Sequence, residues 1–268
     1  MKRMQTVVLL AALAVLLQTA SGCNKLKARD RLNKGVQAYK AAKYELAIEK
    51  FKEAVALDPN HKTAKLYLAT AYAQQVVEGL ETEENVRNAN LAIEQYQEVL
   101  KRDARDIHSM KGIASLYYKL KKFEEAKEYH RKVLAADPND PETYYSIAVI
   151  NWHQTYPPRQ EKRAALGLKP EEPLKDPKVC AEVRAANEAM VEEGIKMLSD
   201  AIRLRPEYED ATAYLNLMYR EKADFQCEDD AARAELLQMA EDMVTRTMAI
   251  KKAKADRETQ KSEGVHLE

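Results

Sequence analysis

The chain has 268 residues, with 43 basic and 43 acidic side chains and a formal net charge of zero. That balance leaves no electrostatic footprint for nucleic acid and no polybasic patch for an anionic lipid surface. Only 7 glycines occur, Ala, Glu, Lys and Leu are abundant, and no stretch alternates apolar and polar residues between turn signals. An all-helical body is therefore expected.

The chain opens on Lys2 and Arg3, followed by an unbroken apolar run from Val7 to Leu17 and then Ala20-Ser21-Gly22-Cys23. A run of 11 residues is too short to span a bilayer and suits the apolar region of a signal peptide. Small residues directly before a cysteine resemble the lipobox of bacterial lipoproteins, although Ala20 stands where leucine is commoner. The resemblance implies removal of residues 1–22, with acyl chains such as palmitate on Cys23. It also implies anchoring in the envelope, and Asn24 after the cysteine favours the outer membrane facing the periplasm. Loss of Lys2 and Arg3 would leave 41 basic residues against 43 acidic ones. Residues 23–27 read as the lipidated N-terminus and a short polar tether.

From 28 onward, apolar and small residues recur at helical spacing in units that repeat. Residues 28–61 place Gly35, Tyr44, Ala47, Phe51, Ala54 and Pro59 at offsets 8, 17, 20, 24, 27 and 32. Residues 62–106 give Leu68, Ala69 and Tyr72, then Ala92, Tyr96 and Val99 after 11 extra residues. These are expected to lengthen both helices around Gly79 to Thr82, with Thr82 as N-cap. Residues 107–140 give Ile113, Ala114, Tyr117, Ala126, Val133 and Pro138, with His130 at the usually aromatic offset 24. Asp137-Pro138-Asn139-Asp140 stops this pair of helices.

Residues 141–208 carry an insert of 34 residues holding Pro157, Pro158, Pro170, Pro173 and Pro177. They predict an irregular excursion over about 155–176, with a short helix at 159–166. Asp176-Pro177 then starts a long helix reaching about Leu204. Residues 209–255 place Leu215 and Tyr219, then Ala240, Val244 and Ile250 after 12 more residues. The last helix ends in Lys251, Lys252 and Lys254, and residues 256–268 read as a disordered tail.

These offsets resemble the tetratricopeptide repeat, a 34-residue helix–turn–helix unit. The resemblance implies an all-α, right-handed α-solenoid of about five repeats over 28–255, with insertions in repeats two, four and five.

No chemistry competes with that reading. The histidines form no metal pair, there is no phosphate loop and no nucleophile elbow, and acidic pairs such as Glu124-Glu125 read as a solvated helix face. No enzyme, cofactor, metal or small-molecule substrate is expected. Met239, Met243 and Met248 read as core or cap packing on the last helix. In the resembled family the first helices line a groove for protein segments. Carried over, the groove positions give Tyr39, Tyr67, Lys111, Tyr118, Tyr145, Trp152 and Tyr214, with Leu32, His153, Leu217 and Arg220 beside them. Such aromatic residues either form hot spots or pack between helices. The family's Lys–Asn–Lys–Arg clamp is not matched, since Ser115 stands beside Lys111. The expected partners are other proteins or peptide segments, together with a membrane through the lipid. The expected role is an envelope scaffold assisting assembly of a membrane, secretion or pilus complex. The alternative is a non-catalytic subunit of a polysaccharide-export or transport machine.

Once Cys23 is lipidated, Cys180 and Cys227 are the two remaining thiols of an exported chain. Cys180 falls at the start of the long helix of repeat four and Cys227 in the inserted turn of repeat five, on the same edge of adjacent repeats, where a disulfide between them is expected; two buried, unpaired thiols are the other reading.

Overall fold

The computed structural model describes residues 23–169 and 172–265, with side chains through residue 260. The signal-peptide reading, Pro170 and His266 lie outside the described residues. Ten helices and no strand occur among the described residues. They are α1 (23–40), α2 (Tyr44–Leu57), α3 (Lys62–Gln74), α4 (Glu83–Leu100), α5 (Ile107–Lys119) and α6 (Phe123–Ala136). The rest are α7 (Pro141–Ala165), α8 (Pro177–Leu204), α9 (Glu209–Ala223) and α10 (Asp230–Val265). The chain divides after Tyr129 into two compact units.

In the first unit α2 packs on α3, α3 on α4 and α4 on α5, and α3 also meets α5. The core consists of the small and aromatic residues at the repeat offsets: Ala47, Phe51, Ala54, Leu68, Ala69, Ala92, Tyr96 and Ile113 are buried. Full burial of a side chain such as Phe51 stabilises the unit by about 1.5–3 kcal/mol. Gly35 allows α1 to lie against that ring. A Cβ there would sit 2.4 Å from Phe51 Cε1. Gly35→Ala should therefore destabilise the protein by about 1–3 kcal/mol, even though alanine favours the helix by about 1 kcal/mol. Chemical unfolding checks this, and a more stable variant would mean the ring can shift aside.

The turns between paired helices repeat too. Ala42 and Lys121 adopt φ of 57° and 56°, at the same offset in their repeats. Each ends its helix with a bond to the carbonyl five residues back, Lys43 N–H to Ala38 O at 2.9 Å and Lys122 N–H to Tyr117 O at 2.8 Å. This is a left-handed helix stop made without glycine. Helix starts are set by side-chain oxygens of Thr82, Asp106, Asp140 and Asp176, which accept from backbone N–H groups one turn on.

Several expectations are corrected. Residues 23–27, expected as a tether, are helical and belong to α1. The insert in repeat two lengthens only α4, to 18 residues, while α3 keeps 13. Buried Asn85 holds the loop between them by bonding Val77 N–H and the carbonyls of Val77 and Leu80. In the second unit, 159–166 is not a separate short helix, because α7 runs for 25 residues through Pro157 and Pro158. Both prolines face solvent, whereas Thr155, Arg159 and Arg163 on the opposite face are buried and bonded. Those partners offset the two lost backbone bonds. The segment 256–265, expected as disordered, continues α10. Arg257 reaches Glu207 at 2.7 Å and Lys254 reaches Glu209 at 3.2 Å, which holds the preceding turns in place. Of the methionines, Met243 packs against the core, while Met239 and Met248 are exposed.

Candidate functional site

The seven residues expected to bind protein divide between the two units. In the first, Tyr39 is half-buried and meets Tyr44 edge-on at 5.3 Å. Tyr67 is exposed and stacks on Phe51 at 5.5 Å. Tyr118 leans on Phe123 at 6.0 Å, and Lys111 is half-buried on α5. Each of these rings packs on a neighbour in its own repeat or the one before. Leu32, also expected in the groove, belongs to the core instead.

The second unit gathers its three. Tyr145 on α7 lies 5.4 Å from Tyr214 on α9, and Tyr214 lies 5.6 Å from Trp152, two turns further along α7. Tyr208 extends the cluster from Tyr145 at 5.3 Å, and Tyr156 stacks on Trp152 at 4.7 Å. Residues seven apart on α7 share a face, which is why Tyr145 and Trp152 reach the same partner. Burial pushes the Tyr214 hydroxyl up, and that of Tyr208 up to about 12 although Arg205 beside its ring opposes this.

Beside Trp152 opens a cavity of about 390 Å³ between α7, α9 and the start of α10. Its floor is a buried ionic network absent from the sequence reading. Arg159 Nη1 and Arg163 Nη1 both donate to Asp224 Oδ2, the latter at 2.9 Å. Arg163 Nη2 also donates to the carbonyls of Lys169 and Glu172 at 2.5 and 2.7 Å, tying down the Pro-rich connection. Arg159 Nη2 stands 2.8 Å from Glu221 Oε1, yet neither oxygen of that carboxylate receives a directed hydrogen bond. The only available signal was the i, i+4 spacing of Arg159 and Arg163, and proline breaks around them concealed the helix that gives it meaning.

Glu221 is 1% exposed, and burial raises its carboxyl to about 7, only partly offset by Arg159. A carboxyl raised in the folded state adds stability that is fully present below its ordinary value of 4.5 and is lost as pH rises through about 7. The shift corresponds to about 3 kcal/mol. Glu221→Gln should flatten the stability–pH curve between those values, as read by urea unfolding at stepped pH. An unchanged slope would assign the dependence to other groups.

The same unit carries a covalent link. Cys180, in the first turn of α8, is bonded to Cys227 in the α9–α10 connection, with Cα atoms 5.7 Å apart. Arg184 donates to Phe225 O beside it.

Comparison with known proteins gives the repeats a name. Tetratricopeptide-repeat models match residues 32–76 and 112–140. Among solved structures, a crystal structure of the MamA protein superposes with a TM-score of 0.57, covering 86% of this chain and 94% of that one at 14% identity. MamA 41-end from Desulfovibrio magneticus RS-1 gives 0.56 over 85% and 96%, at 18% identity. At such identity the likeness establishes the fold. A search among curated proteins finds no match.

Proposed function

We propose that this chain, an α-solenoid with tetratricopeptide repeats, is a lipid-anchored scaffold of the cell envelope that binds protein segments and assists assembly of a membrane or secretion complex. The observation that carries the binding role is the cluster of Tyr145, Trp152, Tyr208 and Tyr214 on α7 and the start and body of α9. Aromatic rings held by one another lose little entropy on contact with a partner, and they provide large apolar area with a polar edge. The anchor rests on Ala20-Ser21-Gly22-Cys23, and Cys23 is exposed and outside any disulfide. Because Cys23 is already within α1, an acylated Cys23 would hold the first repeat close to the bilayer.

Cys23→Ser in the full-length precursor tests the anchor. The variant should leave the membrane fraction and lose incorporation of labelled fatty acid. A variant still retained by membranes would remove the lipid from the proposal.

A further inference from the structure

The insert of repeat two has its polarity turned outward. Over residues 77–86 the amide of Asn85 is buried, while Val77, Leu80 and Val86 are 58%, 43% and 37% exposed. Asn85 bonds the N–H and carbonyl of Val77 and the carbonyl of Leu80, so the loop backbone is tied inward and these apolar side chains are left outside. The loop is also held by the next repeat. Gly79 N–H donates to Lys119 O at 2.9 Å, and Lys119 Nζ donates to Val76 O at 2.9 Å. Leu80 and Val86 thereby line, with Leu120, a hollow of about 130 Å³ between this loop and the α5–α6 turn. Apolar side chains gathered at one exposed place mark a contact surface, and a fixed backbone beneath them lowers the entropy lost on contact.

The charges around the hollow select its occupant. Glu78, Glu81, Glu83 and Glu84 stand on the α3–α4 side, Lys121 and Lys122 on the α5–α6 side, and all are exposed. Elsewhere in this unit basic side chains are answered within the chain, as in Arg31–Glu53, Lys62–Asp106 and Lys65–Glu98 at 3.0, 2.7 and 3.2 Å. Glu81, Lys121 and Lys122 line one hollow yet enter no ion pair among the described residues. The Lys122 ammonium instead lies over the Tyr117 ring, 6.0 Å from its centroid. An acidic lipid surface would be attracted by the lysines and repelled by the glutamates, and a partner of either single sign meets the same conflict. A face with an acidic strip and a basic strip on either side of an apolar centre is complementary to itself after a half-turn.

We propose that this face is a contact between two copies of the chain. They meet about a two-fold axis through the Leu80–Val86 patch, with the glutamates of each loop against Lys121 and Lys122 of the other copy. The surface lies wholly in the first unit and is separate from the aromatic cluster, so it holds whatever the second unit binds. Three exposed apolar side chains are few for an interface of roughly 800 Å² per partner, so the dimer is weak, reversible and salt-sensitive.

Sedimentation equilibrium at stepped concentrations measures the contact, using the chain from Asn24 onward, which keeps the ten described helices and carries no lipid. A monomer–dimer equilibrium is expected, weakened at least about tenfold by Leu80→Asp and by raising NaCl to about 1 M. Lys121→Glu/Lys122→Glu and Glu78→Lys/Glu81→Lys should each be monomeric, since like charges then face one another across the axis. All the altered side chains are exposed, so helical circular dichroism should be unchanged. Mixed in equal amounts, the two charge variants should pair, because the acidic copy then faces the basic one. A wild type that stays monomeric, or a dimer indifferent to Leu80→Asp and to both charge variants, would overturn the proposal. So would charge variants that do not pair on mixing. Binding to phosphatidylglycerol vesicles that Leu80→Asp abolishes, with no dimer in solution, would reassign the patch to a lipid surface and overturn it as well.

Discussion

Asp224→Ala is expected to cost about 3–5 kcal/mol of stability, the largest effect of any single substitution in the second unit. Asp224 is the shared acceptor of Arg159 and Arg163, and all three side chains are buried. Its removal takes from Arg159 and Arg163 the carboxylate they share and leaves Arg159 beside Glu221, whose carboxyl burial raises to about 7. An uncompensated charge in a poorly solvated site is far more costly than a missing pair. The double variant Arg159→Met/Glu221→Met removes one charge of each sign and should cost less than Asp224→Ala alone. Guanidinium unfolding of the full chain at neutral pH measures both. A loss under about 1 kcal/mol for Asp224→Ala would show that water reaches the arginines.

Breaking the Cys180–Cys227 bond is expected to cost about 4 kcal/mol. The two residues are 47 apart in sequence, and the figure is the loop entropy that the cross-link removes from the unfolded chain. Because Arg184 and the buried Phe225 also hold the α9–α10 connection, the unit should remain folded at lower stability. Oxidised wild type compared with Cys180→Ala/Cys227→Ala gives the difference, and a reductant should shift the midpoint of the wild type alone. Peptide mapping of protein purified from the envelope provides the chemical check. Free, alkylatable thiols at both positions would refute the bond.

Sequence alone was sufficient wherever the information is local. Small and aromatic residues at fixed offsets specify helices that must stack, since a pair such as α5 and α6 cannot close a core by itself. Caps at Thr82, Asp140 and Asp176 were legible because an N-cap acts on residues two or three positions ahead. The aromatic cluster was legible only as candidates. Periodicity placed Tyr145, Trp152 and Tyr214 on first helices, but it equally placed Tyr39 and Tyr118, which pack elsewhere.

Tertiary structure decided the rest, for reasons of distance along the chain. Pro157 and Pro158 are strong local stop signals, and locally they predict a break. The helix passes through them because Arg159 and Arg163 find Asp224, respectively 65 and 61 residues away. Likewise α10 continues past residue 255 as Arg257 pairs with Glu207, 50 residues earlier. The cavity exists only once those long-range partners bring α7 against α9. Sequence periodicity says which face of a helix turns inward, whereas the partner of a buried charge is fixed by the packing of whole helices.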